Sequence, residues 1–449
     1  MGKTDINWNS VGDEAADILS QYIQINTTNP PGNEMEGALF LKDILEKEGF
    51  ECIIKESEKG RGNLVTKYKG DGTKSPLLLL HHIDVVPAEA DKWLHPPFSG
   101  RIKDGEIWGR GAYDCKSLGV MELLVLLLLK RNGFGSKRDI ILAATSDEEA
   151  GGKYGAEWML KNHFDLMNAD FVINEGGIAG YTVNKSSMYL CQTAEKGVCW
   201  IRLKFTGTPG HASMPQGRNC ISEMASVIER ISRHQSRLQK SSIAVTFIEG
   251  LAKEQNFMEE EIFLGILDET LSSDVLAKIP DAGLMNILNT MLRNTFVPTV
   301  THGGSKTNVI PSECYCEIDC RMLPGENPES IMKELREVSE GAAEFEIEVL
   351  GSSTPTESSI STELYSTINR CVKRHDPYAK TIPFISAGAS DSRFFREKGI
   401  VAYGFAPLKI GEPLSSHLQR MHGHNEKIYR ESLSYAIKVL YDVVFEFCS

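Results

Sequence analysis

No stretch of this chain is apolar for long enough to cross a bilayer. The longest apolar run, Leu123 to Leu129, is closed by Glu122 and Lys130, far short of the roughly 20 residues a spanning helix needs. Basic clusters are also missing. Acidic residues outnumber basic ones 61 to 48, a net charge of -13, so no face is expected to bind nucleic acid. Met1 to Ser20 has no apolar core segment and carries acids, which argues against an export signal. The start Met1-Gly2 has Ile6 where a myristoylation signal needs Ser or Thr. A cytoplasmic protein with reduced cysteines is therefore expected. Repeats and low-complexity tracts are absent. Cys314, Cys316 and Cys320 are close together, but on one face of a predicted strand they cannot easily converge on a tetrahedral metal, so they are read as core packing.

What is present is ordinary globular material, 41% hydrophobic and 24% charged over 449 residues, enough for two domains. In the first part apolar strands alternate with helical stretches. Helices are predicted over Glu14–Gln24, Glu36–Glu48, Gly119–Arg131 and Ala156–Asn162. Buried strands are predicted over Leu77–Leu80, Asp139–Thr145 and Asp170–Asn174. Wholly apolar strands separated by helices indicate an α/β sheet covered on both faces. The texture changes after Tyr189. An alternating strand, Val198–Thr206, precedes a helix over Ile221–Gln239, a helix-rich stretch from Phe257 to Leu292, a strand over Ser312–Met322 and a helix over Ile331–Ser339. After Ser352 the first texture returns, with a helix over Ser361–Arg374, a strand over Val401–Phe405 and a closing helix over Lys427–Phe445. The pattern predicts a domain within a domain. Residues 1–196 and 353–449 form the outer unit, and 197–352 form an inserted α+β unit.

Polar residues follow the carboxyl ends of four predicted segments. His81-His82-Ile83-Asp84 follows Leu77–Leu80, and Asp114 ends the stretch from Trp108. Asp147-Glu148-Glu149 follows the strand ending at Thr145, and Glu175-Gly176-Gly177 follows Asn174. This is the edge of an open α/β sheet where ligands collect. Carboxylates sharing one pocket repel each other, and a pair of divalent cations resolves the repulsion. Imidazole with carboxylate oxygen points to zinc or a similar ion. In His82-Ile83-Asp84 the Asp is spaced to hold the second ring nitrogen of the His.

These residues resemble the co-catalytic zinc amidohydrolases, the family of glutamate carboxypeptidase, aminoacylase, acetylornithine deacetylase, succinyl-diaminopimelate desuccinylase and carboxypeptidase S. The matching blocks are HHIDVVP from His81, GRGAYDCK from Gly109, TSDEEAGG from Thr145, NEGG from Asn174, GHASMPQGRN from Gly210, NVIP from Asn308, DCRMLPG from Asp319 and SDSRFF from Ser390. They run in order over nearly the whole chain. The resemblance implies a three-layer catalytic domain with a mixed sheet and a ferredoxin-like lid and dimerisation domain. It implies two divalent metals, zinc with cobalt or manganese as substitutes. His82 and Glu175 would hold one, Glu149 and His422 the other, and Asp114 would bridge. Glu148 would be the general base, and Asp84 would orient His82. His211 would stabilise the oxyanion, within its own chain or across a homodimer. Asn308 and Arg321 would hold the substrate carboxylate. A cis peptide between Asp114 and Cys115 is also implied. His81 departs from the commoner Gly and Cys115 from the commoner Met, and the insertion between Gln239 and His302 is long, most like the carboxypeptidase S branch.

The expected activity is hydrolysis of an amide, in a peptide or N-acyl amino acid, beside a free carboxylate, with Glu148 as base. A deacylase of the acetylornithine or succinyl-diaminopimelate type is the alternative, and a non-catalytic metal-binding protein the remote one. A serine hydrolase fails because Gly388-Ala389-Ser390-Asp391-Ser392 ends in Ser where the nucleophile elbow needs Gly. A P-loop fails because Gly304-Ser305-Lys306-Thr307 lacks the Gly-Lys pair.

Overall fold

The computed structural model describes residues 6–183, 186–215, 217–409 and 418–449. The Met1-Gly2 reading and Gln216 of the GHASMPQGRN block fall outside them. A ten-stranded mixed sheet organises the larger part of the fold. Its order runs Cys52–Glu56, Gly62–Tyr68, Ile140–Thr145, Leu77–His82, Phe171–Asn174, Val401–Gly404 and Ser186–Glu195. Leu77–His82 lies parallel to both Ile140–Thr145 and Phe171–Asn174, so three strands open their carboxyl ends on one edge. The run Leu77 to Leu80 is wholly apolar because both faces are covered. Leu77 and Leu79 meet the helices Trp8–Gln24, Lys116–Arg131 and Arg430–Cys448. Leu78 and Leu80 meet Ala156–Asn162 and Ser392–Arg396 on the other side. Three layers result, as the alternation predicts.

A second sheet has four antiparallel strands in the order Thr295–Gly303, Glu313–Met322, Gly197–Thr206 and Glu346–Ser352. With the helices Cys220–Arg233 and Pro328–Val338 the chain order is βαββαβ, a ferredoxin-like arrangement. The inward face alternates cleanly. Cys314, Cys316, Ile318 and Cys320 are buried against those helices while the residues between them are not. The cysteines there are free thiols raised by burial, so they pack as core.

Several elements differ from the sequence expectation, the first helix among them, which starts at Trp8 rather than Glu14. The helix expected to reach Gln239 ends at Arg233. Its apolar anchors Cys220, Met224, Val227 and Ile231 stop there, and Leu238 joins a different cluster. The closing helix begins at Arg430, because Lys427–Tyr429 is a strand with only Ile428 turned inward, paired to Glu106–Trp108. The helix-rich stretch becomes short helices, the longest being Ala282–Leu292, and a helix the sequence did not suggest, Ser242–Ala252, precedes it. They pack on Met188, Leu190, Ile382 and Phe384 of the large sheet rather than on the small one. Among the described residues no helix is long and apolar enough to cross a membrane.

Candidate active site

The strand Leu77–His82 carries His82 to the sheet edge. Its Nδ1 lies 2.9 Å from the Asp84 carbonyl oxygen and 3.5 Å from the Asp84 carboxylate. The main-chain oxygen is therefore the closer partner, and it turns Nε2 outward. Nε2 meets Asp114 Oδ1 at 3.1 Å. The other Asp114 oxygen, Oδ2, is 3.2 Å from His422 Nε2, which also meets Glu149 Oε2 at 3.1 Å. Asp114 thus turns one oxygen to each imidazole. Two donor groups form around it, His82 with Glu148 and Glu175, and Asp114 with Glu149 and His422, their ligand atoms within 4.8 Å of one another in each group. Glu148 Oε2 stands 4.0 Å from His82 Nε2. The Asp114–Cys115 peptide is cis. Cys115 also comes near His82, but burial pushes its thiol well up and its Sγ donates to the His82 carbonyl at 3.6 Å.

The carboxylates cannot all be ionised side by side. Burial, then the Asp114 charge, push Glu175 up to about 8. Burial also raises Glu148 well above the usual carboxylate range, and raises Glu149. Asp114 behaves oppositely. Burial would raise it, but hydrogen bonds from His422 and His82 outweigh that and hold it well down. His422 rises to about 10 through its bonds to Asp114 and Glu149. Glu149 Oε1 is buried with no hydrogen-bond partner among the described residues. An orphaned acceptor among crowded carboxylates, with two imidazoles on a shared Asp, fits a pair of divalent cations.

The supports of this cluster are buried, and sequence reading passed over most of them. The Asp84 carboxylate accepts from the Glu148 and Glu149 main-chain N–H groups, both at 3.1 Å, and from Asn29 Nδ2 at 2.8 Å. One carboxylate thereby ties the His82 strand to the turn bearing Glu148 and Glu149. Asp147, with φ of 71°, is gripped by Arg61 at 3.3 Å and Asn29 at 3.1 Å, and Arg61 also pairs with Glu34 at 2.5 Å. Glu426 accepts from the N–H groups of Gly111, Tyr113 and Asp114 and from Arg110 at 2.8 Å, so it holds the loop that presents Asp114. Asp391 lies beneath, bonded to Thr145 Oγ1 at 3.1 Å and raised by burial to about 7. Asp391 sits inside a block that carries the resemblance and Glu426 in none of those blocks, and nothing in their spacing marks either as a clamp.

The donors open onto a cleft of about 1450 Å³ that Arg321 also lines. The Arg321 guanidinium is paired with Asp319 at 2.7 and 3.0 Å. His211 and Asn308 lie elsewhere. Both are exposed, His211 on the short ladder of Gly210–His211 with Val309–Ile310 and Asn308 just before its second strand, and His211 Nδ1 bonds Ser213 at 2.8 Å. The structure therefore gathers His82, Asp114, Glu148, Glu149, Glu175, His422 and Arg321 around one cleft, and leaves His211 with Asn308 outside its lining.

Residues 78–446 match the family model described as peptidase family M20/M25/M40. The chain belongs to this family. Among curated relatives, it is 28% identical to a probable carboxypeptidase S-like 2 of Dictyostelium discoideum, covering 85% of this chain and 74% of that one. It is 26% identical to mouse aminoacylase-1, covering 92% and 90%. A solved M20 family metallo-carboxypeptidase, Sso-CP2 from Sulfolobus solfataricus, superposes with a TM-score of 0.72 over 97% of this chain and 99% of that one, at 21% identity. As an M20 member the chain is a metal-dependent hydrolase of amide bonds, and the crowded carboxylates described above are a site of the kind such chemistry requires.

Proposed function

We propose that this M20 hydrolase cleaves the amide of a small N-acyl amino acid or peptide beside a free carboxylate, using two zinc-type cations and Glu148 as general base. The observation that carries the reading is Asp114, with one oxygen toward His82 and the other toward His422. In this reading His82 and Glu175 hold one cation, Glu149 and His422 the other, and Asp114 bridges. When bound, the pair supplies Lewis-acid polarisation of the carbonyl and activation of water. Glu148 takes the proton of the attacking water and returns it to the leaving nitrogen. Its place in the donor cluster, 4.0 Å from His82 Nε2 and lining the cleft, supports that role. Asp84 orients His82 through its carbonyl and fixes the base-bearing turn through its carboxylate.

Arg321 and Asn308 receive the substrate carboxylate, and His211 stabilises the oxyanion. Arg321 lines the cleft with the donors, which supports its part. His211 lies exposed on a short ladder and Asn308, also exposed, just before its second strand, which supports a role completed by closure or by a second subunit of a homodimer. We place the boundaries of the inserted domain at 197 and 352, with hinges at Lys196-Gly197 and Gly351-Ser352. The large sheet leaves off at Glu195 and resumes at Thr356. A cytoplasmic location fits ten free cysteines.

The test is the Glu148→Gln protein, loaded in turn with zinc, manganese or cobalt and assayed on N-acyl amino acids and dipeptides. Metal content should match the parent, and kcat/KM should fall roughly 10²–10⁴-fold, the scale of a general base. Near-normal turnover would remove Glu148 from that role.

A further inference from the structure

Gln192 reaches across a strand to the turn that carries Glu175. It lies on Ser186–Glu195, directly opposite Gly404 of Val401–Gly404, and Gly404 in turn pairs with Asn174 at the end of Phe171–Asn174. The three residues form one row across the large sheet, at the edge where Glu175 leaves it. A Cβ at Gly404 would stand 2.5 Å from Gln192 Oε1 and would collide with the Glu175 carbonyl oxygen. The missing side chain opens a passage over the middle strand. The Gln192 side chain fills that passage and ends against Gly176, where a Cβ would overlap Oε1. Gly176 holds a φ of 101°, a left-handed backbone that glycine adopts without strain. Gly177 is packed as closely, since a Cβ there would meet Gly404 O at 2.7 Å. The turn after Asn174 is thus pressed by the Gly404 main chain and by the Gln192 amide.

The amide is held in one sense. Its Nε2 lies 3.4 Å from Glu195 Oε2, which also accepts from Ser390 N at 2.6 Å, while the other Glu195 oxygen accepts from Arg396 Nη1 at 3.0 Å. A donor must face that carboxylate, so the amide oxygen is turned the other way, toward Gly176. Gln192 is 1% exposed, and among the described residues its Oε1 has no hydrogen-bond partner, although the residue lines the cleft beside Glu175 and Gly176. A buried acceptor left without a partner costs stability. That marks the amide oxygen as placed for the turn it presses on rather than for a bond of its own.

We propose that Gln192 is a positioning residue for Glu175, fixing the turn at 175–177 so that the Glu175 carboxylate meets the cation it shares with His82. The inference rests on the two-cation reading above. It treats the two cations differently. The contacts of Gln192 lead to the turn of Glu175, whereas Asp114, Glu149 and His422 gather around the other cation from separate segments.

Zinc titration of the metal-free protein, followed by calorimetry, tests it. The parent should bind two zinc ions. Gln192→Ala should weaken one of them by roughly 10–100-fold, the scale for losing a residue that orients a ligand, and leave the other unchanged. Gln192→Met, which fills the passage but has no anchor at Glu195, should weaken the same ion by less. Added to Glu175→Gln, which gives up that ion itself, Gln192→Ala should weaken binding no further. Parent-like binding of both ions in both variants, or both ions weakened alike, overturns the positioning role. A parent protein that binds fewer than two zinc ions would sink the two-cation reading instead. The packing is then decided without metal. Gly176→Ala should lower the Tm of the metal-free protein through its clash with Gln192, and should lower it less in a Gln192→Ala background, since residues in contact are not additive. Equal losses in the two backgrounds would overturn the role of Gln192 whatever the metal content.

Discussion

Gly119 carries no side chain because His81 occupies the space. A Cβ there would lie 2.5 Å from His81 Nε2, on the helix that begins just after Asp114. The His81 ring is fully buried and bonds Glu122 at 2.7 Å on the same helix. The residue before His82 thus fastens the His82 strand to the helix following Asp114. Two effects compete in Gly119→Ala. Alanine gains about 0.5–1 kcal/mol in a helix interior, and overpacking costs about 1–3 kcal/mol. The clash should win, so thermal denaturation should show a lowered Tm, and a raised Tm would mean the ring yields freely. Glu426 is the other residue to test. It is buried against Arg110, itself 2% exposed, and breaking a buried ion pair from one side costs about 3–5 kcal/mol. Glu426→Gln should lower Tm and weaken metal retention together, because the same carboxylate positions the Asp114 main chain. Unchanged metal content in a destabilised Glu426→Gln protein would separate Glu426 from the site.

At the scale of elements, the ligand candidates come from three strand exits and two loops, and their packing sets a pH dependence. Glu175 goes from its ordinary 4.5 to about 8, chiefly by burial, and Glu148 and Glu149 move the same way. A carboxyl raised on folding contributes stability below its unfolded pKa and loses it as pH rises to the folded one. His422, raised to about 10 by Asp114 and Glu149, loses its contribution in the same direction, between about 6.5 and 10. Asp114 is held down and stays ionised throughout. Metal-free protein should therefore lose Tm between pH 5.5 and 8.5, and the Tm gained on adding zinc should be larger at pH 8 than at pH 5.5. A metal-free Tm that is flat or rising over that range would contradict the burial of these groups. The strand exits themselves were legible in the sequence, since wholly apolar runs followed by His, Asp and Glu mark buried strands ending at a site. The supports were not. Asn29, Arg61 and Glu34 are distant in sequence from Asp147, and only the fold brings them to it. The packing of Ala282–Leu292 was equally hidden, because a continuous helix-rich stretch does not declare which sheet it will pack on.

The whole molecule leaves one reading of the site to be decided between chains. Asp114, Glu148, Glu149, Glu175, His422 and Arg321 line a single cleft, whereas His211 stands exposed on the ladder at residues 210–211 and 309–310 and Asn308 just before its second strand. If His211 has the oxyanion role proposed for it, either the four-stranded sheet swings to bring it to its own site or a second subunit offers its His211 there. Alanine replacement alone cannot choose, since both routes predict slow turnover in His211→Ala. Mixing two inactive proteins can. In a twofold dimer, a Glu148→Gln subunit retains His211, and a His211→Ala subunit retains Glu148. If His211 acts across the dimer, the mixed species contains one site with both groups, and random exchange of equal amounts should restore roughly a quarter of the parent activity, from half the dimers with one site each. If His211 acts within its own chain, each site in the mixed dimer still lacks one group. An inactive mixture, with exchange demonstrated by native mass spectrometry of differently tagged subunits, would rule out the shared site and leave His211 to act within its own chain, through closure of the inserted sheet, or not at all.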